Sequence, residues 1–195
     1  MSIIDNDPIT LFGTWFDEAK SCEPVNADAM SVATVGSDGR PSVRMVLLKS
    51  FDARGFVFYT NLGSRKGTEL AENKHTALCF YWKSTTKQVR IEGLAEPVSN
   101  AEADAYFESR PKLSRISAWA SKQSQPLPGL FDLEKRVARF TAKFSIGRVP
   151  RPEFWSGFKV RPERIEFWSE QTFRLHDREL FVRDGETWTK SKLYP

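Results

Sequence analysis

Residues 30–60 read MSVATV, GSDGR, PSVRMVLLKS, FDARG and FVFYT in succession. The first, third and fifth pieces are rich in β-branched and aromatic residues, and the two between them carry the Gly, Asp and Ser that form turns. Strands this close in the chain are joined by tight turns and therefore run antiparallel. The stretch predicts a three-strand meander over Met30–Val35, Pro41–Ser50 and Phe56–Thr60. Outward from it, the segment Asp7–Cys22 opens with a capping Asp and Pro8 at the first helical position. It then repeats apolar residues at Ile9, Phe12, Phe16 and Ala19, which is an amphipathic helix.

Toward the C-terminus, Ser64 is placed to cap a helix reaching about Asn73. Thr76–Trp82 and Lys87–Leu94 follow as strands, with Gly93 marking a bulge. Ser99 and Glu102 form a capping box, and Pro111 breaks that helix and starts another that runs to Ser121. After a loop at Gln123–Gly129, the residues Leu133, Val137, Phe140 and Phe144 recur at helical spacing. Four more strands are expected at Phe154–Val160, Arg164–Trp168, Phe173–Arg183 and Trp188–Leu193. Strands, then helices, then strands describe an α+β chain, not a parallel doubly wound sheet. One domain is expected over residues 1–195, with residues 1–7 as a flexible N-terminus.

Composition narrows the function. A chain of 195 residues with 40% hydrophobic and 28% charged residues is ordinary and globular. No apolar run approaches the length of a membrane span and the start lacks a signal-peptide layout, so a cytoplasmic location without membrane association is expected. Two cysteines, Cys22 and Cys79, and two histidines leave little for a metal centre, and both thiols are expected to be buried. The net charge of +4 favours anionic partners. Acidic residues at Glu69, Glu72, Glu102, Asp104 and Glu108 break any continuous basic stripe, which argues against nucleic acid.

Four constellations carry possible chemistry. In N-L-G-S-R-K at 61–66, a turn enters a helix with Arg65 and Lys66 in its first turn, where cations oppose the helix dipole. A bound phosphate would relieve that conflict, although a solvated basic turn explains it too. In R-L-H-D-R at 174–178, strand alternation would place Arg174, His176 and Arg178 on one face, as an anion site or as a solvated edge stripe. Tyr106, Arg110 and Ser114 recur every four residues across the Pro111 joint, so one phosphate can accept from all three, or they are surface groups at a helix end. Arg44 and Lys49 lie five apart, on opposite faces of a regular strand unless a bulge intervenes. Trp168 is placed to wall a planar ligand.

Together with R-M-V-L-L-K at 44–49, F-Y-T-N-L-G-S-R-K at 58–66, Y-F-x-S-R-P at 106–111, W-x-S-K-Q-S at 119–124, I-E-F-W and the L-x-P ending, these motifs resemble the pyridoxamine 5'-phosphate oxidase family over about residues 8–195. The resemblance implies an antiparallel FMN-binding split β-barrel with flanking helices. It implies a homodimer with FMN at the interface, oxidising pyridoxamine or pyridoxine 5'-phosphate to pyridoxal 5'-phosphate with O2 as acceptor and hydrogen peroxide as by-product. By position, FMN contacts fall to Arg44, Met45, Val46, Leu47, Leu48, Lys49, Tyr59, Thr60, Arg65, Lys66, Gln88, Gln123, Ser124, Trp168 and Arg178. Substrate contacts fall to Lys49, Tyr106, Arg110, Ser114, Arg174, Leu175 and His176, of which Arg174 and His176 are the catalytic candidates. No metal is implied. Another split-barrel flavin oxidoreductase, or a non-catalytic FMN or pyridoxal phosphate binder, is the competing reading.

Overall fold

A computed structural model describes residues 7–195. Helix α1 (Pro8–Cys22) begins where the Asp7 carboxylate accepts the amides of Ile9 and Thr10. Five further segments lead to the sheet's far edge: β1 (Ala29–Val35), β2 (Pro41–Leu47), β3 (Ser50–Asp52), β4 (Gly55–Asn61) and α2 (Arg65–Glu72). Strands β5 (His75–Trp82) and β6 (Lys87–Pro97) come next, then helices α3 (Asn100–Ser109), α4 (Lys112–Ala120) and α5 (Asp132–Lys143). The chain ends with β7 (Trp155–Ser169), β8 (Asp177–Asp184) and β9 (Thr187–Lys192). The α+β class and the antiparallel sheet agree with the sequence reading. The flexible-terminus expectation concerns residues 1–6, which lie outside the described residues, and residue 7, which caps α1.

The three-strand meander does not form. The sheet order is β2-β1-β5-β6-β7-β4-β3, with β8 and β9 continuing from β7, so β2 and β4 lie at opposite ends of the path. Two adjacent amides between them explain the separation. The Leu48 N–H donates to Asp28 C=O and the Lys49 N–H donates to Val57 C=O, so the chain steps from one end of the sheet to the other at that point. The sheet curls, and residues 48–49 stitch its two ends into a barrel.

The expected strands 154–160 and 164–168 are one strand, β7, with Pro162 inside it. Proline has no N–H for a ladder, and the partner strand β6 shifts register between Glu92 and Gly93, opposite Pro162. A Cβ on Gly93 would lie 2.0 Å from the Arg161 carbonyl oxygen, so only glycine lets the bulge close. The expected strand 173–183 starts only at Asp177. Thr172–Arg174 is a 3-10 turn in which Phe173 and Arg174 both have positive φ, 58° and 62°. One further expectation fails: Cys22 is exposed and Cys79 half-buried, because Cys22 ends α1 beyond its last core residue, Ala19.

The core forms inside the curl. The Phe12 ring of α1 meets Phe51, Phe56 and Phe80 edge-on at 4.8–5.1 Å and is fully buried. Burying a phenylalanine is worth roughly 1.5–3 kcal/mol, so α1 is held to the sheet mainly by this one face. A second, smaller core of Phe107, Ile116, Phe144, Val149 and Trp155 lies under α3, α4 and α5. The cleft described next opens between these two cores.

Candidate active site

A cleft of about 570 Å³ lies between the C-terminal ends of β2 and β4 and the α3–α4 joint. It collects the residues that the sequence singled out in widely separate motifs. From β2 and the stitch come Met45, Val46, Leu47 and Lys49, and from β4 come Tyr59 and Thr60. Helix α2 contributes Lys66, the α3–α4 joint contributes Tyr106, Arg110 and Ser114, and the loop after α4 contributes Gln123.

Local structure explains each placement. The Ser64 side chain caps α2 by accepting the Gly67 N–H. A Cβ on Gly67 would sit 2.3 Å from the Leu62 carbonyl oxygen, so glycine allows the turn to pack tightly and aim residues 65–66. On β7, a Cβ on Gly157 would meet the Tyr59 ring at 2.7 Å, and its absence lets that ring lie across the strand. Pro111 separates α3 from α4 and serves as the N-cap position of α4, which turns Arg110 and Ser114 toward the same space.

The cations of this region fall into two kinds. Arg44, Arg65 and Lys49 are each paired with a carboxylate, the two arginines sharing one. Arg44 and Arg65 both reach the Glu69 carboxylate, at 3.2 and 2.8 Å, and Lys49 reaches Asp28 at 2.9 Å. Burial alone would push Glu69 up, but donors from Ser42, Thr34, Arg65 and Arg44 outweigh it and hold the carboxyl at about 2.

Lys66 and Arg110 are different. Lys66 is only 7% exposed, and its Nζ donates to Thr60 Oγ1 at 3.1 Å and Gln123 Oε1 at 3.1 Å, both neutral acceptors. Burial, and then the nearby Arg44 charge, pull its pKa down. Arg110 lies over the Trp155 ring, 4.9 Å from its centroid, with a buried Nη1 that has no hydrogen-bond partner. Burial lowers its pKa too, opposed by Tyr106. A buried and a half-buried cation without carboxylates are costly unless anions complete them.

The remaining candidates lie elsewhere. Arg44 and Arg65 stand behind the cleft around Glu69, Leu48 is 4% exposed in the stitch, and Ser124 lines a neighbouring cavity beside α5. Gln88, Trp168 and Arg178 form a row on adjacent strands at the far end of β7, where Trp168 pairs with both of the others. His176 stacks beside Trp168 with 4.7 Å between ring centroids, and its Nδ1 accepts the Gln171 N–H. Arg178 is tied to Glu166 at 2.8 Å and to the Tyr194 carbonyl at 2.9 Å.

Arg174, His176 and Arg178 do not share a strand face. Only Arg178 is on a strand, while Arg174 and Leu175 are exposed in the positive-φ turn before it. Ser117, Ala118 and Trp155, which the sequence did not single out, also line the cleft, as do Asn61 and Ser121, which lay inside quoted motifs but were given no role. Ser117 and Ser121 repeat the Ser114 face at helical spacing and were legible on that ground. Trp155 opens a strand and carried no such signal.

Comparison with known proteins agrees with this geometry. The family model described as pyridoxamine 5'-phosphate oxidase matches residues 17–144, and the pyridoxine 5'-phosphate oxidase C-terminal dimerisation region matches residues 155–195. The chain belongs to the pyridoxine/pyridoxamine 5'-phosphate oxidase family. A family protein from Rhodospirillum rubrum is 57% identical over 100% of this chain and 99% of its own length. One from Maricaulis maris is 59% identical over 99% of this chain and 88% of its own. Among solved structures, PhzG from Burkholderia lata, in complex with tetrahydrophenazine-1-carboxylic acid, has a TM-score of 0.92 and 34% identity. That match covers 97% of this chain and 93% of PhzG, so the family's curled-sheet fold holds over nearly all of both.

Proposed function

We propose that this protein oxidises pyridoxamine 5'-phosphate or pyridoxine 5'-phosphate to pyridoxal 5'-phosphate, using FMN and O2 and releasing hydrogen peroxide. The observation that carries the reading is the pair of carboxylate-free cations in one cleft, the buried Lys66 and the half-buried Arg110 with its enclosed Nη1. A cofactor and a substrate that each end in a phosphate supply the two missing anions. Lys66 fits the FMN phosphate, since Thr60 and Gln123 already fix its Nζ at the capped start of α2. Arg65 and Arg44 stand around Glu69 beside it and add positive potential. Met45, Val46, Leu47 and the backbone near Leu48 form an apolar edge for the flavin ring.

The substrate phosphate falls to Arg110, Tyr106, Ser114 and Lys49. Charge-assisted hydrogen bonds from such groups are about twice as strong as neutral ones, and they fix the pyridine ring at a defined distance from its anchor. Bound FMN supplies hydride acceptance at the substrate carbon and returns the electrons to O2. The chain's own task is to orient and enclose. Pyridoxine phosphate loses a hydride from its alcohol carbon and a proton from the hydroxyl, and pyridoxamine phosphate loses the same pair from its amine carbon and nitrogen, then takes up water and releases ammonia.

Arg174 and His176 are the residues we assign to the substrate ring, and Gln88, Trp168 and Arg178 to the flavin. Within one chain they cannot reach the cleft. Thr60 pairs with Ser156 near one end of β7 and Arg178 with Trp168 near the other, roughly 40 Å apart along the strand. A second copy therefore completes each site, which makes FMN an interface cofactor in a homodimer. Residues 1–195 act as a single domain in this reading. No helix among the described residues is long and apolar enough to cross a membrane, and we place the protein in the cytoplasm.

The test is an anaerobic mixture of FMN-loaded protein with pyridoxamine 5'-phosphate. Bleaching of the visible flavin band, then recovery in oxygen with one aldehyde and one peroxide formed per turnover, is expected. Flavin that binds but bleaches with neither vitamer would leave a carrier or a different flavoenzyme.

A further inference from the structure

Trp155 is 7% exposed at the start of β7, and β4, α3 and the α3–α4 joint all meet at its ring. Its indole lies parallel to Tyr59, 5.3 Å away at 3°, and Tyr59 is in turn stacked on Tyr106 at 4.0 Å and 11°. Phe107 of α3 meets it edge-on at 4.9 Å. Arg110 covers its face at 4.9 Å. The backbone beneath is pinned, because the Trp155 C=O accepts Arg151 Nη1 at 2.8 Å and its N–H donates to Pro152 C=O at 3.0 Å.

We infer that Trp155 is the positioning residue for the phosphate-binding arginine, and so sets the enzyme's discrimination between phosphorylated and unphosphorylated substrates. The inference rests on the oxidase reading above. The physical reason lies in how a guanidinium can be held. The arginines around Glu69 and Glu166 are held by carboxylates, which fix them and take up their N–H donors. An aromatic face attracts a guanidinium by its quadrupole and takes up none of the N–H donors. Arg110 is therefore held at the cleft with its charge intact and its Nη1 unpaired. The same ring locks Tyr106 through Tyr59, so two of the phosphate donors are aligned by one side chain.

The experiment compares wild type, Trp155→Phe and Trp155→Leu as FMN-loaded enzymes. Pyridoxamine and pyridoxal carry no phosphate and report every role of Trp155 except this one. For Trp155→Leu, KM for pyridoxamine 5'-phosphate and the calorimetric Kd for pyridoxal 5'-phosphate are expected to rise about tenfold to thirtyfold. The kcat is expected to stay within about threefold, and affinity for unphosphorylated pyridoxal to stay unchanged. Trp155→Phe keeps an aromatic face and is expected to recover most of the loss. Equal losses with phosphorylated and unphosphorylated ligands, no loss at all, or a Phe variant as poor as the Leu variant would each overturn the inference. If Trp155→Leu does not fold, the Phe variant with its milder, phosphate-selective shift decides. The calorimetric arm needs no turnover, so a wild type that binds pyridoxal 5'-phosphate without oxidising anything defeats the oxidase reading and still tests Trp155.

Discussion

The two ends of β7 handle positive charge in opposite ways. At its start, Lys66 is buried against neutral groups and Arg110 is half-buried over an indole, with no carboxylate to match them. At its far end, Glu166 is buried between Arg178 and Arg90, and the charges cancel locally. The first arrangement is unstable by itself and waits for anions, whereas the second is a finished scaffold that fixes a side chain's direction. The difference separates the residues we propose for phosphate from those we propose for a wall. It also shows why a single copy is incomplete, because the wall and the phosphate sites lie at opposite ends of one strand.

The strongest way to break this comparison is to mix two disabled proteins. Arg110→Ala removes a cleft function and His176→Ala removes a far-end function, and each homodimer should be nearly inactive. After unfolding and refolding together, about a quarter of wild-type activity per chain is expected, since half the dimers are mixed and each has one intact site. No recovery would mean that both ends serve the same copy. Arg110→Ala alone is expected to lower kcat/KM for pyridoxamine 5'-phosphate by about 10²–10³, with FMN content preserved, as loss of a charge-assisted anchor predicts.

Lys66→Met sharpens the contrast from the other side. It should weaken FMN binding by about tenfold to hundredfold in fluorescence titrations and leave KM nearly unchanged. Because burial lowers the Lys66 pKa, apo protein loses that charge below the ordinary lysine range. FMN affinity should fall as pH climbs through this range, and Lys66→Arg should remove the fall.

The smallest effect concerns Glu69. Its carboxyl is held at about 2 in the folded protein, below its usual value of 4.5. A depressed carboxylate pKa stabilises the fold above the unfolded value, and that stability is lost as pH falls from about 4.5 toward 2. The stability gap between wild type and Glu69→Gln, read from urea midpoints, should therefore be wide near neutral pH and narrow below about pH 4. A gap independent of pH would remove Glu69 as the anchor of Arg44 and Arg65.

The sequence by itself determined the local pieces. Asp7 with Pro8, Ser64, and Ser99 with Glu102 start helices because side-chain oxygens satisfy amides within three residues, and no distant contact is needed. The candidate phosphate motifs stood out for the same reason, since cations at a helix start or across a Pro joint are a local pattern. Only the tertiary structure decided that β2 and β4 part company at Leu48–Lys49, that Arg174 leaves the strand, and that Trp155 sits under Arg110. These depend on which strand edges find partners and which rings meet after the sheet curls. Such pairings join residues tens of positions apart, where hydrogen-bond and hydrophobic energies are shared by many alternatives and no local pattern distinguishes among them.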